Sequence, residues 1–546
     1  MTRPDTDLDA AVGAPSTLTA KSEGVEPTGT RLDAWWGRLL ARPGARKLWY
    51  WGGPIAVTLL AAVLRLVRLG DPRSLVFDET FYVKDAWTLL HLGYEGSWPD
   101  NADQSFNAGN VDIYTADGSY VAHPPLGKWM IALGLRAFGA GDTVGWRIST
   151  ALVGILAVFL LVIIARKLFS STLLATIAGG LFAIDGHAIV LSRTALLDNS
   201  VMIFTLLGFG AILLDRAQSA ARLSLWLARR ADAGRGIDWG PAIWWRPWLL
   251  TAGVLFGAAT AVKWSGLYFL AAFAVYSLVV DAAARRAAGI PFWVSGTIIK
   301  QGPVTFLLTI PLALATYLAS WTGWFVTKGG YYRHWAEVPG NAATGFFSWV
   351  PHSVQSFFHY QSSVYDFNVN EHTAHPYAAN PFTWLFMVRP TAFYYVGQVR
   401  GQGGCGFSSC AEYVTSVANP IVWWAATAAL FYLVYRLVRY REWRVGLILM
   451  GTVAGYLPWL LYSNRTIFQF YAIVFEPYLI LGLVFVIGLI LGTATDTTWR
   501  RTRGIGVVTV FLFFVVLVSA FFYPVWTGMQ VPEIFARLHY WLPGWR

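Results

Sequence analysis

Two adjacent carboxylates, Asp78 and Glu79, lie in the stretch SLVFDETFYVKDAW (residues 74–87), directly after the first long apolar run of the chain. Neighbouring acids repel each other, and a charge beside hydrocarbon is costly unless it has a partner or a task. A raised pKa would allow such a carboxylate to act as a general base near neutral pH. Because successive side chains of a strand or turn point apart, we expect two separate roles rather than a shared proton.

The segment around this pair is acidic, although the whole chain has a formal net charge of +11. Between residues 71 and 117, nine acids stand against two bases, Arg73 and Lys84. Most of these acids are expected to be solvated loop residues. Asp78 and Glu79 differ because aromatic and aliphatic side chains surround them. The nine acids are Asp71, Asp78, Glu79, Asp85, Glu95, Asp100, Asp103, Asp112 and Asp117.

Cationic side chains recur at the ends of other apolar runs, where they could form an anion-binding pocket. Arg147, in GWRIST, can pair with Glu79 or bind a phosphate, or it can simply anchor a helix end at the membrane interface. His123 and Lys128 bracket the turn AHPPLGKW, which can also be read as a tight turn alone. Further short motifs supply Arg193 and Asp198 (SRTALLDN), Lys263 (VKWSG), and Asn464 and Arg465 (YSNRTIFQFY).

The elements that must position these residues are membrane-spanning helices. Hydrophobic residues make up 56% of the 546 residues and charged residues only 13%, whereas soluble proteins carry about 25% charged residues. Since a span requires about 20 apolar residues, the sequence predicts an all-α polytopic membrane protein with about eleven spans. The predicted spans are 53–69, 146–166, 172–191, 196–214, 247–264, 266–282, 297–320, 420–438, 444–462, 466–491 and 505–525.

Clusters of Arg and Lys predict the orientation of these spans. With eleven spans, all five clusters fall on one side, which the positive-inside rule makes cytoplasmic. The N-terminus is then cytoplasmic, the C-terminus is outside, and the long loops 70–145 and 321–419 both lie outside. We interpret 126–139 as a helix in the membrane interface, because a twelfth span would invert every later loop. The basic clusters are 165–169, 216–246, 283–286, 436–444 and 499–503.

Three regions follow from this organisation. Residues 1–50 are expected to form a cytoplasmic segment that is first disordered and then amphipathic. Residues 51–525 form the transmembrane domain with both long outer loops, and residues 526–546 form an outer tail.

Basic clusters between apolar runs, rather than along one face, do not indicate nucleic-acid binding.

Cys405 and Cys410 lie close together in GCGFSSCAE, within the second outer loop. They can form a disulfide if that loop faces an oxidising compartment, and the alternative is two free thiols. The chain has no zinc or haem spacing, so no metal site is expected.

The order of the motifs resembles that of protein O-mannosyltransferases of the actinobacterial type. FDE follows the first span, and HPPLGK, GWR, LLDN, VKWSG, HTAHPYAANPFTWLFMVRPTAFYY (372–395) and SNRTIFQFY come after it, over about residues 64–523. The resemblance implies the C-type glycosyltransferase (GT-C) membrane fold, with residues 51–525 as its catalytic domain. It also implies a polyprenyl-phosphate mannose donor and a Ser or Thr hydroxyl of an exported polypeptide as acceptor. Loop 321–419 is too short for the β-trefoil domain of the eukaryotic members.

The resemblance also implies roles for single residues. Asp78 takes the proton of the acceptor hydroxyl during inversion at the anomeric carbon, and Glu79 orients Arg147 or the acceptor backbone. No cofactor is expected, because the leaving phosphate is already charged and cations can stabilise it. Residues expected around the donor are Arg147, Lys263, Arg465, His123, Lys128, Asp198 and Asn464, and those of the acceptor loop are His372, His375 and Tyr377.

The expected partners are the lipid-linked donor, exported polypeptides and membrane lipids, with the secretion translocon as a candidate. The expected location is the cell membrane, with the active site facing outside. Two alternatives stay open at this point. In the first, the chain is another GT-C enzyme that transfers a lipid-linked sugar to a lipid or glycan. The identity of the acceptor would distinguish this enzyme from a protein mannosyltransferase. A transporter would instead line a path with charges along its helices, whereas here the charges cluster at helix ends.

Overall fold

A computed structural model describes residues 28–546, and this part of the chain is mostly helical. Seven helical segments are long and apolar enough to cross a membrane, or eight if one bent pair forms a single span. Helices are numbered here in chain order. The seven segments are α2 (Pro43–Leu66), α6 (Thr143–Phe169), α9 (Asp198–Asp232), α11 (Gly266–Ala287), α12 with α13 (Trp293–Ser295 and Gly302–Ser320, joined by a π-helical turn), α16 (Pro420–Tyr440) and α19 (Thr498–Trp526).

Shorter helices occupy the other predicted spans. They are α7 (Thr172–Ile184), α8 (Gly186–Arg193), α10 (Pro247–Val262), α17 (Trp443–Leu460) and α18 (Glu476–Leu491). Each predicted span therefore contains helix, while the total of eleven stays a prediction. The span predicted at 466–491 begins as helix only at Glu476, after a 3-10 turn at Gln469–Val474.

The prediction of one continuous helix at 172–191 is wrong, because α7 and α8 meet at an angle of 59°. The backbone of Asp185 is extended, and its Oδ1 accepts a hydrogen bond from the His187 N–H at 2.9 Å, which begins a new helix. Gly186 packs against the indole of Trp526 so closely that a Cβ would lie 1.9 Å from it. The break brings α8 towards the end of the bundle where the long loops 70–145 and 321–419 lie.

The two long loops predicted to lie outside contain structure of their own. Segment 70–145 forms α3 (Glu79–Leu92), α4 (Ala102–Asn107) and α5 (Leu126–Phe138). Helix α5 occupies the predicted interfacial segment, and it buries Ile131 and Leu135 while Leu133 stays exposed. In loop 321–419, α14 (Thr322–Val326) and α15 (His352–Asn370) precede two strands.

A small sheet corrects the prediction of an entirely α-helical fold. Strand β1 (Ala392–Val399) pairs antiparallel with β2 (Ser409–Thr415), and β2 pairs with β3 (Val531–Pro532), placing Ala411 opposite Val531. A disulfide joins Cys405, in the loop between the two strands, to Cys410 of β2, with 5.8 Å between their Cα atoms. Strand β3 and α20 (Glu533–Arg537) thereby attach the C-terminal residues to loop 321–419.

The first helix lies at the opposite end of the bundle. Helix α1 (Arg31–Leu40) begins with a capping box between Thr30 and Asp33, and none of its side chains is buried. Asp33 also forms an ion pair of 2.8 Å with Arg501 at the start of α19. Residues 1–27, most of the segment predicted to be disordered, lie outside the described residues.

Candidate active site

Asp78 and Glu79 form the start of α3, at the point where the loop after α2 turns back into the protein. Phe77 precedes them with a φ of +48°, a left-handed conformation that is strained for an aromatic residue. Its ring packs against Phe393, Phe468 and Phe470 with centroid distances of 5.1 to 5.6 Å, which holds this conformation in place. The strained turn directs the two carboxylates to different neighbours.

Glu79 forms a buried, two-pronged ion pair with Arg147 of α6. The Nε and Nη2 atoms of Arg147 each donate to one carboxylate oxygen at 2.8 Å, and both side chains are fully buried. The same two oxygens accept hydrogen bonds from the backbone N–H groups of Ala195 at 2.8 Å and Val76 at 3.0 Å. Glu79 thus connects α3, α6 and the α8–α9 turn.

Arg147 uses its remaining N–H groups on the loop that follows α2. Its Nη1 and Nη2 atoms donate to the carbonyl oxygens of Pro72 and Ser74 at 2.9 Å, and Nη1 contacts that of Leu69 at 3.4 Å. All of its five N–H groups therefore have acceptors within the protein. This geometry does not support the prediction that Arg147 binds the donor phosphate, but it fits the alternative in which Glu79 and Arg147 orient each other.

Asp78 points to a different environment. Its side chain is only partly exposed, and the Tyr82 hydroxyl lies 3.4 Å from Oδ2. Burial raises the pKa of Asp78 to about 6, with Asp198 acting in the same direction and Lys263 opposing both. A carboxylate with this pKa is largely ionised at pH 7 and is still basic enough to accept a proton.

Two charged neighbours of Asp78, Asp198 and Lys263, line a small cavity of about 100 Å³. Asp198, the first residue of α9, pairs with Lys263 at the end of α10 at 2.7 Å. The Lys263 ammonium also lies 4.7 Å from the centre of the Tyr471 ring, as in a cation–π contact. Aromatic side chains make up much of the remaining wall, namely Trp264, Tyr268, Tyr365, Trp459, Tyr462 and Tyr471.

Arg465 brings a second cation to this cavity, from the turn after α17. Its Nη2 donates to the Asn368 Oδ1 at 3.0 Å, whereas its buried Nε has no hydrogen-bond partner among the described residues. Within residues 28–546, no carboxylate lies within ion-pair distance of Arg465. A positive charge with an unused donor, next to an aromatic wall, is suited to bind an anionic group.

Two histidines border the site. His123 lines the cavity, and burial, followed by the charges of Lys263, Lys128 and Arg465, lowers its pKa well below the usual range. Its ring also lies 6.1 Å from that of Tyr82, beside Asp78. His375 packs edge-on against Phe77 at 5.5 Å. The site therefore combines a carboxylate of raised pKa, a neutral imidazole and an unpaired cation, which suits displacement of an anionic leaving group by a hydroxyl.

Two family models match the chain. Residues 55–229 match "Dolichyl-phosphate-mannose-protein mannosyltransferase", and residues 353–545 match the "C-terminal four TMM region of protein-O-mannosyltransferase". A polyprenol-phosphate-mannose–protein mannosyltransferase of Mycobacterium tuberculosis (strain ATCC 25618 / H37Rv) is 36% identical over 500 residues, which cover 90% of this chain and 91% of that protein. The chain belongs to the protein O-mannosyltransferase family.

Other family members show similar agreement along the chain. A protein with the same description from Mycolicibacterium smegmatis (strain MKD8) is 35% identical, and the match covers 91% of this chain and 93% of that protein. One from Corynebacterium glutamicum is 31% identical over 90% of this chain and 92% of that protein. The yeast (S. cerevisiae) protein O-mannosyltransferase Pmt1–Pmt2 complex superposes with a TM-score of 0.67 at 15% identity, with 91% and 92% covered, which shows the common GT-C fold.

Several residues predicted for the mannosyltransferase site lie away from the cavity. Lys128 is buried and pairs with Glu95 at 2.7 Å and with Asp85 at 3.2 Å, so it joins α3 to α5 and is not free for a phosphate. Asn464 is exposed, and its backbone carbonyl oxygen lies 2.9 Å from Nδ1 of His372. This contact brings the loop with His372 next to the Arg465 turn.

Tyr377 also lies outside the cavity wall, where Arg389 packs over its ring at 5.2 Å. Arg193, predicted at an outer turn, donates to three carbonyl oxygens at the end of α2 at 2.7 to 2.9 Å, namely those of Arg65, Val67 and Arg68. Neither residue therefore lines the cavity, and Arg193 instead fixes the end of α2.

Sequence reasoning missed other residues at the site. Asn368 orients Arg465 from the last turn of α15, where no motif or charge distinguished it. Tyr82 lies one helical turn after Asp78, a spacing that could have indicated their contact. Trp264 and Tyr471 belong to the quoted motifs VKWSG and YSNRTIFQFY, but nothing in their type alone pointed to the cavity.

Proposed function

We propose that this chain transfers mannose from polyprenyl-phosphate mannose to Ser or Thr hydroxyls of exported polypeptides, with inversion at the anomeric carbon. The observation that carries this proposal is the position of Asp78, a basic carboxylate whose charged neighbours line the cavity that also contains the unpaired Arg465. Family membership and the names of the relatives support the donor and the acceptor class.

In the proposed reaction, the acceptor hydroxyl oxygen attacks the anomeric carbon of mannose. Asp78 takes the hydroxyl proton, and the bond between the anomeric carbon and the phosphate oxygen breaks. The polyprenyl phosphate leaves with the bonding electron pair, and Arg465 stabilises its charge. Lys263 has a different task in this scheme, because Asp198 already neutralises it and its charge favours the ionised form of Asp78.

We further propose that eleven spans place the N-terminus in the cytoplasm and the C-terminus outside, with the active site facing outward from the cell membrane. Two contacts support this arrangement. Asp33 pairs with Arg501, which joins two segments predicted to be cytoplasmic, and β3 pairs with β2, which joins two predicted to be outside. An acceptor that emerges from the secretion translocon would meet the site on this face.

The proposal is tested with purified protein, radiolabelled polyprenyl-phosphate mannose and a Thr/Pro-rich peptide. We expect label on the peptide that alkaline β-elimination releases. A control peptide with Ala in place of every Ser and Thr should stay unlabelled. Transfer of label to lipid or glycan, with none on the Thr-containing peptide, would contradict the assignment of the acceptor.

A further inference from the structure

A second cavity, of about 580 Å³, lies between α6, α9 and α11 at the ends of these helices far from the active site. Lys167, Arg216 and Arg285 line it. Each comes roughly 18 to 20 residues after a residue of the same helix that lies at or next to the active-site region, namely Arg147, Asp198 and Gly266. A rise of about 1.5 Å per residue places the cations about 27 to 30 Å from the site. Since this distance matches the hydrocarbon thickness of a bilayer, the basic cavity lies at the opposite membrane face.

Small side chains create the space in this basic cavity. Alanines of α9 and α11 face it, so the two helices leave a gap that larger side chains would fill. Leu213, Leu223 and Val280 continue the same wall as an apolar surface. The cavity thus combines an apolar wall with a cationic rim. The alanines are Ala217, Ala220, Ala283, Ala284 and Ala287.

The charges around the basic cavity do not cancel. Asp281 is the lining carboxylate, and Arg246 already binds it together with Asp215. The two carboxylates are therefore accompanied by four cations, which leaves two positive charges uncompensated. The four cations are Lys167, Arg216, Arg246 and Arg285. Arg285 is buried, and it donates to the Thr297 hydroxyl at 3.2 Å and to the Pro241 carbonyl oxygen, so its charge has a fixed position.

Arg216 is held at the rim in a form that can contact an anion. Its guanidinium lies 4.4 Å from the centre of the Trp443 ring, and no carboxylate of the described residues pairs with it. Trp side chains are enriched at membrane interfaces. Trp443 therefore agrees with the position of the basic cavity at a membrane face, which the helix lengths indicate. Lys167, from the last turn of α6, is exposed, lines the same cavity and adds a further positive charge.

We propose that the basic cavity binds an anionic phospholipid of the leaflet opposite the active site, with its phosphate near Arg216 and Lys167 and an acyl chain along the alanine wall. The net positive charge favours an anionic over a zwitterionic lipid. The apolar wall favours a lipid over free phosphate, which could not cover it. This site is separate from the donor site and does not depend on the proposed function.

Native mass spectrometry of the full-length protein tests this proposal, with phosphatidylglycerol and phosphatidylcholine titrated into detergent solution. We compare the double variant Lys167→Gln/Arg216→Gln with Arg229→Gln/Arg235→Gln, which removes two exposed charges elsewhere in the same part of the chain. Each cation near a lipid phosphate contributes about fivefold in affinity, so the first variant should bind phosphatidylglycerol about 25-fold more weakly. The second should bind it as the parent does.

Further measurements make the result decisive even if the charge variant folds poorly. Ala284→Leu fills the basic cavity without changing any charge, and it should weaken phosphatidylglycerol binding at an unchanged thermal midpoint. Millimolar inorganic phosphate should not displace the lipid. Equal losses in the two double variants, equal binding of phosphatidylcholine, or displacement by free phosphate would each overturn the proposal.

Discussion

The ion pair between Glu79 and Arg147 gives a prediction that separates a structural role from donor binding. Glu79→Gln keeps the shape of the side chain but leaves the buried guanidinium without its counter-charge, since its other acceptors are neutral carbonyl oxygens. Removal of one partner from a buried pair costs about 3 to 5 kcal/mol. Arg147→Met should cost a similar amount, because it leaves the Glu79 carboxylate unpaired. The double variant should cost about 2 kcal/mol less than the sum of the two single changes.

The assay is the thermal unfolding midpoint in detergent, combined with steady-state kinetics on the protein that stays folded. Both single variants should lower the midpoint, on the order of 5 °C, while the donor KM of the folded fraction stays close to that of the parent. Asp100→Asn, an exposed acid of the same loop, is the matched control and should change neither quantity. If Arg147→Met kept the parent midpoint and raised the donor KM tenfold, Arg147 would bind phosphate and the structural reasoning would be refuted.

Three further predictions concern the cavity, the disulfide and the topology. Arg465→Gln should raise the donor KM about 10- to 100-fold at an unchanged thermal midpoint, because a hydrogen bond to a charged group contributes about 1.5 to 3 kcal/mol; an unchanged KM would remove Arg465 from the donor site. Cys405→Ser should lower local stability by about 2 kcal/mol and speed proteolysis between β1 and β2, whereas equal proteolysis rates would assign the disulfide no stabilising role. Cysteines placed singly at the exposed positions Asp100 and Asp232 should differ in intact cells, with only the first reacting with an impermeant thiol reagent, and the reverse result would invert the proposed topology.

The membrane-spanning helices were predictable because hydropathy over about 20 residues depends on local composition alone. The order of the motifs likewise predicted the family, and Lys263 and Arg465 of these motifs line one cavity. Asp198 and His123 of the same motifs also line the cavity. These agreements share a cause, since helix ends that carry polar side chains at one membrane face can meet only in a narrow layer.

Other features were not predictable because they depend on which partner each charge finds. Arg147 and Arg465 look alike in sequence, but the first is enclosed by Glu79 and three carbonyl oxygens while the second keeps an unused donor. In the sequence, Lys128 resembles a phosphate ligand. In the structure, Asp85 and Glu95 pair with it. The bend between α7 and α8 depends on a close packing partner, Trp526, that is more than 300 residues away in the chain. The strands of the small sheet are separated too far in sequence for a local pattern to pair β2 with β3.

Asp78→Asn, measured across pH in the peptide mannosylation assay, tests the general-base assignment most directly. In the parent protein, kcat/KM should rise with pH through about 6, because Asp78 must lose its proton to act as the base, and it should level off above pH 7. Asp78→Asn keeps the size of the side chain, so the donor KM should change little while the rate falls about 10²- to 10⁴-fold and the rise near pH 6 disappears. Transfer by Asp78→Asn within about threefold of the parent rate, or a rise near pH 6 that persists without the carboxylate, would contradict the role of Asp78 as the base.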